Sequence, residues 1–206
     1  MKSLARRRRL VAAAAFAATV AAPAACTPAE ATVSFSTTPN VPNLPGATLN
    51  GGVVTLNATM ANWGVTMSGS KTGWNVTVVG DTSAGKSADF QQYCPNTTCG
   101  TDSGPGYITS GATLPAGSLK LNSTGASWTG NTGTTPSHLC NSVCSMDTTT
   151  AVKIASASTS VSTGTWSTTG YSTTSAAATV PTTTKYLTQS GEVYHLDLVW
   201  TLNSGP

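Results

Sequence analysis

The sequence predicts an all-β protein: a single antiparallel β-sandwich, Ig-like or jelly-roll in type, with long loops stiffened by disulfides. Three observations carry that prediction. Thr, Ser, Gly, Ala and Val dominate the composition; Thr and Val favour strands, while Gly, Asn and Pro punctuate them. Short runs alternate apolar and polar residues, and no long stretch repeats apolar residues at helical spacing. Charged residues are sparse, at 8% of the chain, where globular proteins carry about 25%. A disordered chain would combine low hydrophobicity with high net charge, and this one has neither.

The amino-terminal segment has the layout of a secretory leader. Lys2 and Arg6 to Arg9 form a positive region, Leu10 to Val20 an apolar one, and Ala29-Glu30-Ala31 a small-residue cleavage site. The apolar run is shorter than the about 20 residues that a membrane helix needs. Residues 1–31 are therefore read as a signal peptide and 32–206 as one domain, with Ala25 as the alternative cut. Cys26 leaves with the leader, which makes the remaining cysteines an even four. A lipidated Cys26 is the alternative that also consumes the odd thiol.

The elements follow in order. Thr32 to Phe35 opens the domain as a strand. Pro39 to Gly46 is an entry loop, because its repeated prolines deny a ladder its donors. Val53 to Leu56 is a short strand. Trp63, Val65 and Met67 alternate with small or polar residues, as do Trp74, Val76 and Val78, and the turn between them predicts a hairpin. Residues 81–115 are loop-like and long, so they are expected to hold cross-links or a function. Leu119 and Leu121 mark a strand, followed by Trp128. Gly130 to Ser137 is a loop. Val152 with Ile154, and Val161 to Trp166, continue the sheets. Ser167 to Thr184 reads as weak edge strands or an open segment.

The last element is the clearest. Tyr194, Leu196, Leu198, Trp200 and Leu202 share one parity, so a strand would put all five on one apolar face. Such a strand belongs in the core, and its removal should unfold the domain. By the same face argument Trp74 and Trp200 are expected inside, while Trp128 and Trp166, in Gly/Ser/Thr-rich surroundings, are the aromatics expected at the surface.

Cys94 and Cys99 form one local pair, Cys140 and Cys144 another. In an exported protein disulfides are the default, and three connectivities are open. Local pairing is favoured because each pair is already held close. A four-cysteine zinc site is the alternative, since both spacings sit at the long end of the ligand range.

Charge excludes several partners. The net charge of +3 belongs to the whole chain; every Arg lies in the leader, and residues 32–206 carry five Lys against six carboxylates. A domain without Arg and with a net charge of −1 has no footprint for a phosphate backbone. Nucleic acid is therefore not an expected partner, nor is insertion into a membrane after leader cleavage.

Catalytic chemistry is weakly represented. His138 and His195 are the imidazoles, and His195 shares a strand face with Asp197. Ser is too abundant for a triad to be read from inventory, because a triad is defined by geometry. Asp81, Asp89 and Asp102 are carboxylates in turns, with no spacing that orders them for glycoside hydrolysis. Gly80-Asp81-Thr82-Ser83-Ala84-Gly85-Lys86-Ser87 matches the phosphate-loop pattern, but Cys94-Pro95 follows too soon for the helix such a loop opens. The expectation is a non-enzyme that needs no cofactor and no metal.

Two short motifs resemble those of WxL-domain surface proteins. Trp200-Thr201-Leu202, preceded by Tyr194 and close to the carboxyl end, is similar to the family's distal signature. Gly73-Trp74-Asn75-Val76-Thr77-Val78 is similar to its proximal one, with Val76 at the Leu position. The resemblance implies a secreted protein held non-covalently at the cell surface, through cell wall peptidoglycan or companion surface proteins. On that reading Trp74, Val76, Tyr194, Trp200 and Leu202 build the scaffold, and cysteine-stiffened loops meet the ligand. The alternative is an exported structural or adhesive subunit that assembles by strand pairing, as pilin-like or coat components do.

Overall fold

The computed structural model describes residues 31–69, 72–130, 133–161 and 163–206. The predicted leader, residues 1–31, lies outside the described residues except for Ala31. Among the described residues there is no helix. The strands of the first half are β1 (Thr32–Thr37), β2 (Val54–Ala58), β3 (Gly64–Ser68), β4 (Trp74–Gly80) and β5 (Gln91–Cys94). Three short ones follow: β6 (Thr98–Cys99), β7 (Asp102–Ser103) and β8 (Gly106–Tyr107). Then come β9 (Leu119–Leu121), β10 (Ser127–Gly130), β11 (Ser137–His138), β12 (Cys144–Ser145) and β13 (Val152–Ala157). The chain closes with β14 (Gly164–Thr169), β15 (Ala176–Val180), β16 (Val193–His195) and β17 (Leu198–Ser204).

All pairings are antiparallel. Three four-stranded sheets run β1-β3-β14-β10, β11-β13-β4-β17 and β12-β9-β15-β2, and a three-stranded one runs β16-β5-β8. The four-stranded sheets share one buried cluster. Val65, Met67 and Trp166 come from the first, Trp74, Val76, Val78 and Ile154 from the second, and Leu119, Leu121 and Ala178 from the third. That layering is consistent with a β-sandwich.

The expected hairpin between the first two Trp-bearing runs is not formed. β3 pairs with β1 and β14, whereas β4 pairs with β13 and β17. Each run has an apolar parity that must be buried, and a hairpin would place both on one sheet. Crossing to the opposite sheet lets Val65 and Met67 share the core with Trp74 and Val76. Gly73 makes the crossing possible. Its φ is +72°, and a Cβ there would sit 2.5 Å from the Ala157 carbonyl oxygen.

Trp128 and Trp166 also differ from expectation: both are buried. The Trp128 ring meets Trp63 edge-on at 5.0 Å and Trp74 at 5.5 Å, and stacks on His138 at 5.0 Å. Gly- and Thr-rich flanks reflect strands with small outward side chains, not an exposed indole. The Ser167–Thr184 stretch is likewise more ordered than expected. Its β15 lies between β9 and β2, with Ala176, Ala178 and Val180 buried.

The terminal ribbon keeps its predicted face but is interrupted. β17 lies along β4, with Trp200 opposite Val78, Leu202 opposite Val76 and Ser204 opposite Trp74. Leu196, Leu198, Trp200 and Leu202 are half-buried against the core, whereas Val199 and Thr201 face solvent. Upstream, Tyr194 and His195 leave that sheet and pair with Gln92 and Gln91 of β5. The step occurs at Leu196-Asp197, where the Asp197 carbonyl accepts the Asp81 N–H at 2.9 Å.

Both disulfides are local. Cys94 bonds Cys99 and Cys140 bonds Cys144. The sulfurs are thereby withdrawn from any zinc site. Between Asp81 and Pro115 the first bridge, with β5 to β8, organises the segment read as loop.

Candidate functional site

The residues that converge on chemistry come from the strand break at Asp197 and from two short loops. The first is the glycine-containing turn after β4. Asp81 Oδ1 accepts the Ser83 N–H at 2.9 Å, and the Lys86 N–H returns to the Ser83 carbonyl at 2.9 Å. Ala84 and Gly85 both take positive φ there. The turn folds Lys86 back so that its Nζ lies 2.8 Å from Asp81 Oδ2 and 2.9 Å from Asp197 Oδ2. A phosphate loop needs free backbone N–H groups, an available lysine and a following helix. Here the lysine is held by two carboxylates, and β5 follows.

The second contribution is aromatic. The order β16-β5-β8 sets three rings beside one another. Tyr93 of β5 is directly opposite Tyr107 of β8, and their ring centroids are 5.1 Å apart. His195 of β16 is opposite Gln91, diagonal to Tyr93, and its ring lies 4.6 Å from Tyr93 and 5.7 Å from Tyr107. Cross-strand neighbours at this spacing place side chains on one face. The patch is tied to the ionic cluster: the Tyr107 hydroxyl donates to Asp197 Oδ2 at 3.0 Å, and His195 Nε2 lies 3.2 Å from Asp197 Oδ1. Lys86, Tyr93, Tyr107, His195 and Asp197 line an open cleft of about 660 Å³, with Gln91, Thr109 and Ser110 completing its walls.

Electrostatics keep both carboxylates paired with Lys86 ionised. Asp81 is lowered to about 2, chiefly by the hydrogen bond from Lys86 and then by the Ser83 N–H. For Asp197, partial burial acts to raise the pKa, but hydrogen bonds from Lys86, Tyr107 and His195 outweigh it and leave the group below the usual aspartate range. Lys86 is raised by Asp81 first and Asp197 second. Tyr107 is raised by burial and then by its bond to Asp197.

The other expected groups lie elsewhere. His138 stacks on Trp128 and meets Tyr171 edge-on beside the core, where burial lowers its pKa. Asp89 is raised by partial burial, and Asp102 is raised mainly by a hydrogen bond shared with Glu192. These carboxylates take different partners from Asp81 and form no acid–base pair with it. Among the described residues no three His, Cys, Asp or Glu side chains are grouped to hold a metal ion. Trp74, Val76, Trp200 and Leu202 are brought together as neighbours on β4 and β17. Tyr194 sits on the other sheet, its hydroxyl donating to the Lys185 carbonyl at 2.8 Å. Sequence reading found the His195–Asp197 pair but missed Lys86, Tyr93 and Tyr107 as its companions. The one available signal was their presence near the cysteines of a long, otherwise unexplained segment.

Comparison with protein-family models, curated proteins and solved structures finds no match to this chain.

Proposed function

We propose that this chain is an exported surface protein that binds cell wall peptidoglycan non-covalently, through the cleft formed by Tyr93, Tyr107, His195, Gln91 and Lys86. The observation that carries the reading is the three-ring patch fixed beside an ionic cluster. Flat rings stack on the apolar faces of sugars, and a few oriented polar groups select hydroxyl and amide positions. Two disulfides support an oxidising destination. The same face could serve a glycan-bearing companion protein.

Binding without turnover is the accompanying reading. Glycoside hydrolysis needs a carboxylic acid with a raised pKa beside the scissile bond. Asp197, which lines the cleft, and Asp81, the other partner of Lys86, are shifted the other way. His195 Nε2 lies 3.2 Å from Asp197 Oδ1, a contact that fixes the ring beside the tyrosines.

Co-sedimentation with purified peptidoglycan under non-reducing conditions tests the reading. The protein should pellet with the wall, and Tyr93→Ala should abolish pelleting without unfolding the chain. A folded protein that stays wholly in the supernatant overturns it. Assembly by strand pairing retains one specific observation: β17 is a sheet-edge strand that shows Val199 to solvent. Concentration-dependent growth in sedimentation velocity would favour that alternative.

A further inference from the structure

The cleft shares a wall with a second cavity. Tyr93, His195 and Asp197 line both, and the second has a volume of about 1220 Å³. Its chemistry is different. Leu56, Leu119 and Val180 contribute from the β12-β9-β15-β2 sheet, Leu198 and Trp200 from β17, and Leu44 from the Pro-rich entry loop. This is the place where the core surfaces, because Leu44, Leu56, Leu198 and Trp200 are packed against it yet only half-buried.

Two chain segments line the groove, one around Leu44 to Leu49 and one around Thr184 to Leu187. A hydrogen-bonded clasp joins them: the Tyr186 hydroxyl donates to the Leu49 carbonyl. The Tyr186 ring is 67% exposed, so that bond, and not burial, holds it. Such a clasp costs little to open, since an exposed hydrogen bond contributes only about 1 kcal/mol.

The polar mouth sets the kind of head group. Lys86 is flanked by Asp81 and Asp197, both ionised, so these three groups carry a net charge of −1. A phosphate or carboxylate head would meet repulsion, with the lysine already engaged. A neutral polyhydroxyl head would find stacking rings and hydrogen-bonding partners.

Resting on the glycan reading of the cleft, we infer that the two cavities form one amphipathic site for an uncharged glycolipid. The sugar lies on the Tyr93–Tyr107–His195 patch, and the alkyl chain runs into the groove between Leu44 and Trp200, beneath the Tyr186 clasp. Trp200 then has a functional face as well as a structural one.

Alkyl maltosides from hexyl to decyl, kept below their micelle concentrations, provide the probe, with Trp fluorescence or calorimetry as the readout. Affinity should rise by up to about fourfold for each methylene buried. Tyr93→Ala should weaken every member by a similar factor and leave that chain-length dependence intact. Leu44→Asn, in a loop and half-buried, should flatten it, and Tyr186→Phe should speed dissociation of decyl maltoside. Decyl sulfate should bind more weakly than decyl maltoside. A flat chain-length series with a folded protein overturns the inference, as does equal binding of the sulfate. Peptidoglycan retention with a flat series would leave the wall reading standing alone. A steep series without retention would remove the wall reading and keep the groove.

Discussion

Replacing Asp147 by Asn is expected to stabilise the folded chain at neutral pH. Asp147 is fully buried, and neither carboxylate oxygen makes a hydrogen bond of normal geometry. It follows β12 and is held beside the start of β9, where its carbonyl accepts the Gly117 N–H. Burial raises its pKa from 3.8 to about 6. The backbone amides of Leu119, Asp147 itself and Ser118 offset burial only in part, and the nearby Asp89 carboxylate pushes in the same direction as burial. The sign follows from proton binding. Between 3.8 and about 6 the folded state holds a proton that the unfolded state has released, so stability falls as pH rises through that window. At 1.36 kcal/mol per tenfold change in acidity, the full penalty above pH 6 is about 3 kcal/mol. Asn keeps the volume and cannot ionise. Urea unfolding followed by Trp fluorescence, with disulfides intact, should show Asp147→Asn more stable than the parent by up to about 3 kcal/mol at pH 7, and equal to it near pH 3.5. The parent should lose stability between pH 4 and 6 by an amount the variant does not. An Asn variant that is less stable at pH 7, with the parent's pH slope unchanged, would refute the reasoning and show that the ionised carboxylate is satisfied by its surroundings.

Trp128→Ala should cost about 3 to 5 kcal/mol in the same assay, because it empties the space between Trp63, Trp74 and His138. Ending the chain at Asp197 should abolish cooperative unfolding, since it strips β17 from β4 and exposes the inner sheet face. Replacing both cysteines of either disulfide by Ser should cost about 2 kcal/mol in urea, the value that loop-closure entropy gives for bridges this local. Tyr107→Phe keeps the ring but removes its bond to the ionised Asp197; stability should fall by about 1.5 to 3 kcal/mol, and peptidoglycan retention should fall while remaining measurable.

The fold was legible wherever one face of a strand is buried. Alternation located β4, β9, β13 and β17, and it assigned Trp74, Val76, Leu198 and Leu202 to the correct side. It failed where a strand is built from small residues. In β10 and β14 the outward positions are Thr, Ser and Gly, so the indoles of Trp128 and Trp166 stood in surroundings that resemble loop. Alternation also says which way a side chain points but not which sheet receives the strand. The mistaken hairpin between β3 and β4 follows from that gap: the same pattern serves two strands side by side or two strands facing each other.

The site was less legible, and the reason lies in Asp197. In the sequence it is one polar residue inside the strongest strand pattern of the chain, and periodicity alone assigns it to a solvent face. In the fold its carbonyl receives the Asp81 N–H and its carboxylate receives Lys86, Tyr107 and His195. Those partners are as distant as 116 residues in numbering, from Asp81 to Asp197. No local pattern encodes such a meeting. What the sequence did contain was a conflict: a strand rich in Leu and Trp that nevertheless carries His and Asp at adjacent same-face positions, together with a long Tyr- and Cys-bearing segment whose role no periodicity explains. Conflicts between local pattern and global burial concentrate where a chain does chemistry. Here the conflict resolves as a strand that changes sheets, and the break that allows the change is also the floor of the cleft. If Asp197→Val merges the two strands into one continuous ribbon, Lys86 loses a partner, the rings lose their anchor, and peptidoglycan retention should vanish while β17 stays paired with β4. Retention that survives this substitution would mean that the cleft is scenery and that binding lies elsewhere on the molecule.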